Sequence, residues 1–142
     1  MLCIKKLFAI YIFLLVLFMV IKPHWGWSYL VERVYGIYEL RKAGYWNLNL
    51  QPFVFSEMGS VTRLNIAVFV PLGIFLNMLD YRFLKAFIVS AFIIFCIELS
   101  QFVFCLGVAD VDDFLLNILG TIIGYAFCFF LRFIYKLKCR FK

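Results

Sequence analysis

Residues 98–124 read ELSQFVFCLGVADVDDFLLNILGTIIG. Glu98 is embedded in an apolar run, Asp110, Asp112 and Asp113 form an acidic turn, and a second apolar run opens on Asp113 and Asn117 and continues through Gly120 and Gly124. Carboxyl and amide groups are costly in hydrocarbon and there face a bundle interior, a cavity or a pathway. The stretch predicts two apolar helices joined by a short turn, with their polar residues turned toward each other.

Spacing supports that arrangement. Glu98 and Gln101, three apart, share one face of the first helix, while Asp113, Asn117, Gly120 and Gly124, at steps of four, three and four, share one face of the second. At about 1.5 Å of rise per residue, Glu98 lies roughly 12 Å and Gln101 roughly 8 Å below the helix end at Leu106, and Asn117 roughly 6 Å below Asp113. Gly120 and Gly124 have the G-x-x-x-G spacing that lets a second helix backbone come close. Asn117, one turn above them, is placed to bond Gln101 or Glu98.

The rest of the chain is equally apolar. Of 142 residues 66% are hydrophobic and 19 are Phe, with a mean hydropathy of +1.01; soluble domains have about 45–50% apolar residues. A chain this short leaves roughly a third of its surface exposed when folded, so a bilayer is the fitting solvent. Fourteen Lys and Arg against eight Asp and Glu give a net charge of +6. The basic residues sit at helix ends and in the C-terminal tail, where anionic lipid and the positive-inside bias account for them, and no nucleic-acid partner is expected. Cys3, Cys96, Cys105, Cys128 and Cys139 lack metal-ligand spacing and read as small apolar residues.

Working outward, the chain reads as all-α: a small integral membrane bundle of four transmembrane helices with N- and C-termini cytoplasmic, folded as one domain over residues 1–142. The spans fall at about 5–22, 63–79, 83–106 and 113–134, with an outer loop over 23–62 and a basic tail over 135–142. The first span starts like a signal peptide, but no small-x-small cleavage site follows it. Trp25, Trp27 and Tyr29 instead suit an interfacial aromatic belt, so the span is expected to be retained. In the outer loop Val31, Val34, Tyr35 and Tyr38 fall at helical spacing, which suits a short helix lying on the membrane and ending near Gly44. Pro71 and Gly73 interrupt the second span, and a bundle tolerates this when neighbours satisfy the freed backbone. Nine basic residues then lie on the inner side and five on the outer side.

Asn65, at the outer end of the second span, joins Glu98, Gln101, Asp113 and Asn117 in the outer half of the membrane, and Arg63 can reach the mouth. These six are the candidate ligand contacts. Two roles are open to the cluster: structural glue, with Glu98 neutral and bonded to Asn117, or an outward pocket for a polar or cationic group. Asp110 and Asp112 read as a solvated turn and Asp113 as the cap of the fourth span; a divalent-cation site is the rival, although the spacing matches no calcium loop. Ser100 lies on a different face from Glu98 and is expected to bond its own backbone. No catalytic set, metal site or cofactor is expected.

The chain resembles the VanZ-like membrane proteins. Glu98 and Gln101 match the family's E-x-x-Q element, Asp110, Asp112 and Asp113 its D-x-D-D turn, and Asn117, Gly120 and Gly124 its N-x-x-G-x-x-x-G element. Upstream, Asn49, Leu50, Pro52 and Phe53 resemble its N-L-x-P-F stretch, and Asn65, Pro71, Leu72 and Gly73 its N-x-x-x-x-x-P-L-G pattern. Asn49, Pro52, Pro71, Gly73, Gly120, Gly124, Asp110 and Asp112 are accordingly read as structural. Many members carry an arginine shortly after the glycine that ends the third span; here Val108 and Ala109 follow Gly107, so this chain does without it or uses Arg63, Arg41 or Lys42.

The resemblance implies a multi-pass protein of the bacterial cell membrane, and for the namesake an association with resistance to the lipoglycopeptide teicoplanin. The preferred expectation is an outward polar pocket that binds an amphipathic envelope molecule: a membrane lipid, a lipid-tailed cell-wall precursor or such an antibiotic. An enzyme acting on a lipid-linked precursor or phospholipid is the first alternative. A structural subunit, packing a membrane protein partner or a second copy through G-x-x-x-G, is the other.

Overall fold

The computed structural model describes residues 2–21, 26–52 and 60–140. Five helices account for most of them: α1 (Leu2–Ile21), α2 (Gly26–Lys42), α3 (Ser60–Met78), α4 (Phe83–Val103) and α5 (Val111–Arg140). Two strands of two residues each, β1 (Leu48–Asn49) and β2 (Ala109–Asp110), pair in parallel, Leu48 with Ala109 and Asn49 with Asp110. The fold is thus an all-α bundle with one strand bridge between distant loops.

Three helices are long and apolar enough to cross a membrane: Leu2–Met19 in α1, the whole of α4, and Val111–Lys136 in α5. The apolar stretch of α3, Leu64–Met78, is shorter, so length and composition support three of the four expected spans. Phe13, Phe92, Phe127 and Phe130 all face outward. A soluble surface would not carry such a density of large apolar side chains.

α3 is the hub of the bundle. Its Phe69, Leu72 and Leu76 are fully buried and pack with Leu15 and Met19 of α1, Ala86, Ile94 and Ile97 of α4, and Ile118 of α5. Pro71 lies inside the helix, and it removes one backbone donor and disturbs the preceding turn. Tyr11 of α1 donates its hydroxyl proton to the Val68 carbonyl in that turn at 2.9 Å, which ties α1 to α3 beside the proline.

The closest approach is between α3 and α5, which run parallel. A Cβ on Gly120 would lie 2.2 Å from the Ile66 carbonyl oxygen, and one on Gly124 would lie 1.9 Å from that of Val70. From the other side, a Cβ on Gly73 would lie 1.9 Å from the Thr121 carbonyl oxygen. Three glycines therefore bring two backbones together, and the G-x-x-x-G face is filled by α3 of the same chain. Adjacency in sequence suggests α4 as the partner of α5; those helices do pack, but the glycines serve α3.

Three helices end in the same way, with a residue in the left-handed region followed by paired backbone bonds. Gly44 (φ 88°) ends α2, with Gly44 N–H to the Arg41 carbonyl and Tyr45 N–H to that of Leu40, each at 3.0 Å. Asp80 (φ 60°) does the same after α3, and Cys105 (φ 55°) after α4. This double-bond closure is the Schellman motif. It sets the sharp reversals that bring α4 back along α3 and α5 back along α4.

Element bounds agree with expectation in part. A helix is present where the Val31, Val34, Tyr35 and Tyr38 spacing predicts one, as α2, with Gly44 just past its end. The loop after it contains β1, and α5 starts at Val111 rather than 113 and continues as helix to Arg140 through most of the expected tail. Trp25 and the side chains of Trp27 and Tyr29, expected in an aromatic belt, lie outside the described residues, as does Phe53.

Candidate functional site

The expected cluster assembles at the end of the bundle that holds the α4–α5 turn. Asn65 from α3, Glu98 and Gln101 from α4, and Asn117 and Thr121 from α5 are all buried. Asn65 Nδ2 donates to Asp113 Oδ1 at 2.5 Å. Gln101 Nε2 donates to the Met19 carbonyl at the end of α1 at 3.3 Å, and Glu98 Oε2 accepts from the Asp110 N–H at 3.4 Å. Thr121 Oγ1 bonds back to the Asn117 carbonyl at 3.1 Å. Four helices thus contribute to one buried polar region.

Asn117 is the exception within it. Its side chain is fully buried, and among the described residues neither Oδ1 nor Nδ2 has a hydrogen-bond partner. The expected bond from Asn117 to Gln101 or Glu98 is not formed. The α3–α5 contact at Gly120 explains part of this, because Asn117 sits one turn from a glycine pressed against α3, and Gln101 is engaged by α1 instead. A buried amide without partners forfeits about 1–3 kcal/mol.

The acidic turn divides its work differently from the sequence expectation. Asp110 Oδ1 accepts from the Asp112 N–H at 2.8 Å, which makes Asp110 the cap of α5, and its Oδ2 accepts from Asn49 Nδ2 at 2.9 Å. Asp113, expected as the cap, faces Asn65 instead. The helix begins two residues earlier than the apolar pattern suggests, and this places the cap at Asp110, just before Val111. Asp112 and Asp113 still lie in the first turn, where a carboxylate suits the helix dipole. Among the described residues no three His, Cys, Asp or Glu side chains converge as metal ligands would. Ser100 Oγ donates to the Ile97 carbonyl at 2.7 Å, within its own helix.

A roof over the cluster comes from the loop after α2. Asn47, buried, donates from Nδ2 to the Gly107 carbonyl at 2.6 Å, and its Oδ1 accepts from Arg41 Nε at 2.7 Å and Nη2 at 2.5 Å. Arg41 also donates to the Phe102 carbonyl and lies 4.5 Å over the Phe102 ring. The strand bridge continues this seam: the Ala109 N–H donates to the Asn47 carbonyl at 3.0 Å, and Asn49, expected as structural, ties β1 to Asp110. Pro52 is exposed beyond it.

Gly107 shows why no side chain follows the turn closely. A Cβ there would lie 2.9 Å from Arg33 Nη2 and 3.5 Å from Gln101 Oε1. Arg33 of α2 therefore brings its guanidinium to the glycine that ends the α4 turn, beside Gln101. The sequence offers Arg41, Lys42 and Arg63 for that position and misses Arg33, because only the path of α2 brings it over the bundle. Lys42 is exposed and paired with Glu39 at 3.1 Å, whose hydrogen bond and charge raise its pKa. The Arg63 side chain lies outside the described residues.

Comparison with known proteins bears directly on this geometry. The VanZ/LLP1 family profile matches residues 8–132, from α1 to the last turns of α5. The chain belongs to the VanZ/LLP1 family. Protein VanZ of Enterococcus faecium is 30% identical to it over 104 residues, which cover 69% of this chain and 62% of that relative. The VanZ/LLP1 chain thus spans under two thirds of that relative's length. No solved structure matches it. Family membership and the three long apolar helices together make it a bacterial membrane protein.

Proposed function

We propose that this VanZ/LLP1 chain crosses the envelope membrane four times, with both termini inside, and receives the polar head of an amphipathic envelope molecule at the cluster of Asn65, Glu98, Gln101, Asp113 and Asn117, with Arg63 at its mouth. For the fourth span, α3 has 19 residues, and at about 1.5 Å each they reach roughly 28 Å, close to the roughly 30 Å hydrocarbon core.

The observation that carries the binding proposal is Asn117. An amide that is fully buried and lacks partners is a donor and an acceptor held ready, and a ligand or a water that bonds both recovers the loss. Arg33 and Arg41 over the same end supply positive charge for an anionic or hydroxyl-rich head, and the bilayer around the bundle takes the lipid tail. Lipid-tailed glycopeptides such as teicoplanin fall within this class of molecule, as do membrane lipids and lipid-linked wall precursors. A packing partner for Gly120 and Gly124 is already present in α3, so those glycines lend no support to a subunit role.

The test is binding of teicoplanin, and of the same glycopeptide without its acyl tail, to the full chain in nanodiscs. Tail-dependent binding that falls at least tenfold in the Glu98→Gln, Asn117→Ala double variant is expected. Equal binding by the wild type and the double variant contradicts the assignment of the site.

A further inference from the structure

The opposite end of the bundle, at the α3–α4 turn, holds a cavity of about 400 Å³ that the polar cluster does not involve. That volume lies within the roughly 300–1,000 Å³ of small-molecule sites. One wall is a single face of α5, with Tyr125, Phe129, Arg132, Phe133 and Lys136 at helical steps of four, three, one and three. The other wall is the turn itself, from Asn77 to Arg82.

Its framework is fixed by hydrogen bonds. Arg132 Nη1 donates to the Asn77 carbonyl at 2.6 Å and Nη2 to Asp80 Oδ1 at 2.7 Å, and Tyr125 donates its hydroxyl proton to the Tyr81 carbonyl at 2.9 Å. Asp80, the one carboxylate in the lining, is thereby taken up by Arg132. Arg82 and Lys136 remain, and among the described residues neither has an ion pair. Two cations thus line a preformed cavity whose only acid is already paired.

Position says what kind of anion fits. Lys136 closes the apolar window of α5 and Phe83 opens that of α4, so the cavity sits where the membrane-spanning stretches end. Phe129 and Phe133 are more than half exposed and continue its wall along the lipid-facing side. The geometry points to a binding site for a phosphate-bearing anion, with Arg82 and Lys136 on the phosphate, Arg132 as the fixed partner of the turn, and the two phenylalanines along an acyl chain when the phosphate belongs to a lipid. Ordinary juxtamembrane basic residues attract anionic lipid at the surface without selecting it; a walled cavity retains it.

Native mass spectrometry of the full chain, extracted from bilayers of equal phosphatidylcholine and phosphatidylglycerol, tests this. The wild type is expected to retain phosphatidylglycerol preferentially, and Arg82→Gln with Lys136→Gln to lower that retention roughly tenfold. This pair leaves the Arg132, Asp80 and Asn77 bonds in place. Lys5→Gln with Lys6→Gln, which removes the same charge outside the cavity, should change little; an equal loss there overturns the site in favour of a net-charge effect. Thermal stabilisation by glycerol 3-phosphate, absent in the Arg82 and Lys136 variant, would assign the phosphate to a soluble molecule. No preference for phosphatidylglycerol and no response to glycerol 3-phosphate would overturn the proposal, whatever teicoplanin does at the other end.

Discussion

At the α3–α4 turn an asparagine, an aspartate and an arginine satisfy one another, whereas at the α4–α5 turn Asn117 is buried with both polar atoms unpartnered among the described residues. The first arrangement uses side chains to tie down the backbone of the turn, and what it leaves is charge around a cavity. The second buries amides and carboxyls between helices and covers them with a basic roof. Similar residue types therefore fasten the chain at one end and hold unused hydrogen-bonding capacity at the other. Substitutions that act on one end alone separate these two roles.

The largest effect should come from the contact that both ends share. Gly124→Ala would set a methyl group against the Val70 backbone, and because a backbone cannot swing aside as a side chain can, α3 and α5 must part. Overpacking of this kind costs about 1–3 kcal/mol. Thermal unfolding of the purified chain should register it, with both ends loosened.

Asn47→Ala acts on the roof alone. It deletes the donor to Gly107 and the acceptor for Arg41, a buried pairing worth about 1–3 kcal/mol. Hydrogen exchange should rise in residues 45–51 and 102–110 and stay unchanged at the α3–α4 turn. Arg132→Gln is the matched change at the other end. Its ion pair with Asp80 is exposed and its bond to the Asn77 carbonyl is part-buried, so the loss should be smaller, about 1 kcal/mol, with faster exchange confined to residues 77–82.

How far the sequence reveals this molecule depends on how local each feature is. Long apolar runs identify α1, α4 and α5, and the Val31, Val34, Tyr35 and Tyr38 spacing identifies α2, since each pattern is complete within a few turns. The common face of Glu98 and Gln101 is legible for the same reason. Pairing across the fold is not. Nothing near Gly73 indicates that it meets Thr121, because α3 and α5 are separated in sequence by α4. The β1–β2 bridge is two residues long and joins loops about sixty residues apart, too short for alternation to mark it. Arg33 reaches Gly107 only because α2 folds back over the bundle, and Asp110 takes the cap only because the first turn of α5 includes polar residues that the apolar pattern omits.

The central claim is that Asn117 is kept for a ligand and does not hold the helices together. Asn117→Leu replaces its amide with an apolar group of similar size, and the melting temperature of the ligand-free chain decides between the roles. An unchanged or higher value is predicted, since an unpartnered buried amide gives no stability to lose. A fall equivalent to about 2 kcal/mol or more would mean that the amide is structural, and would contradict the account.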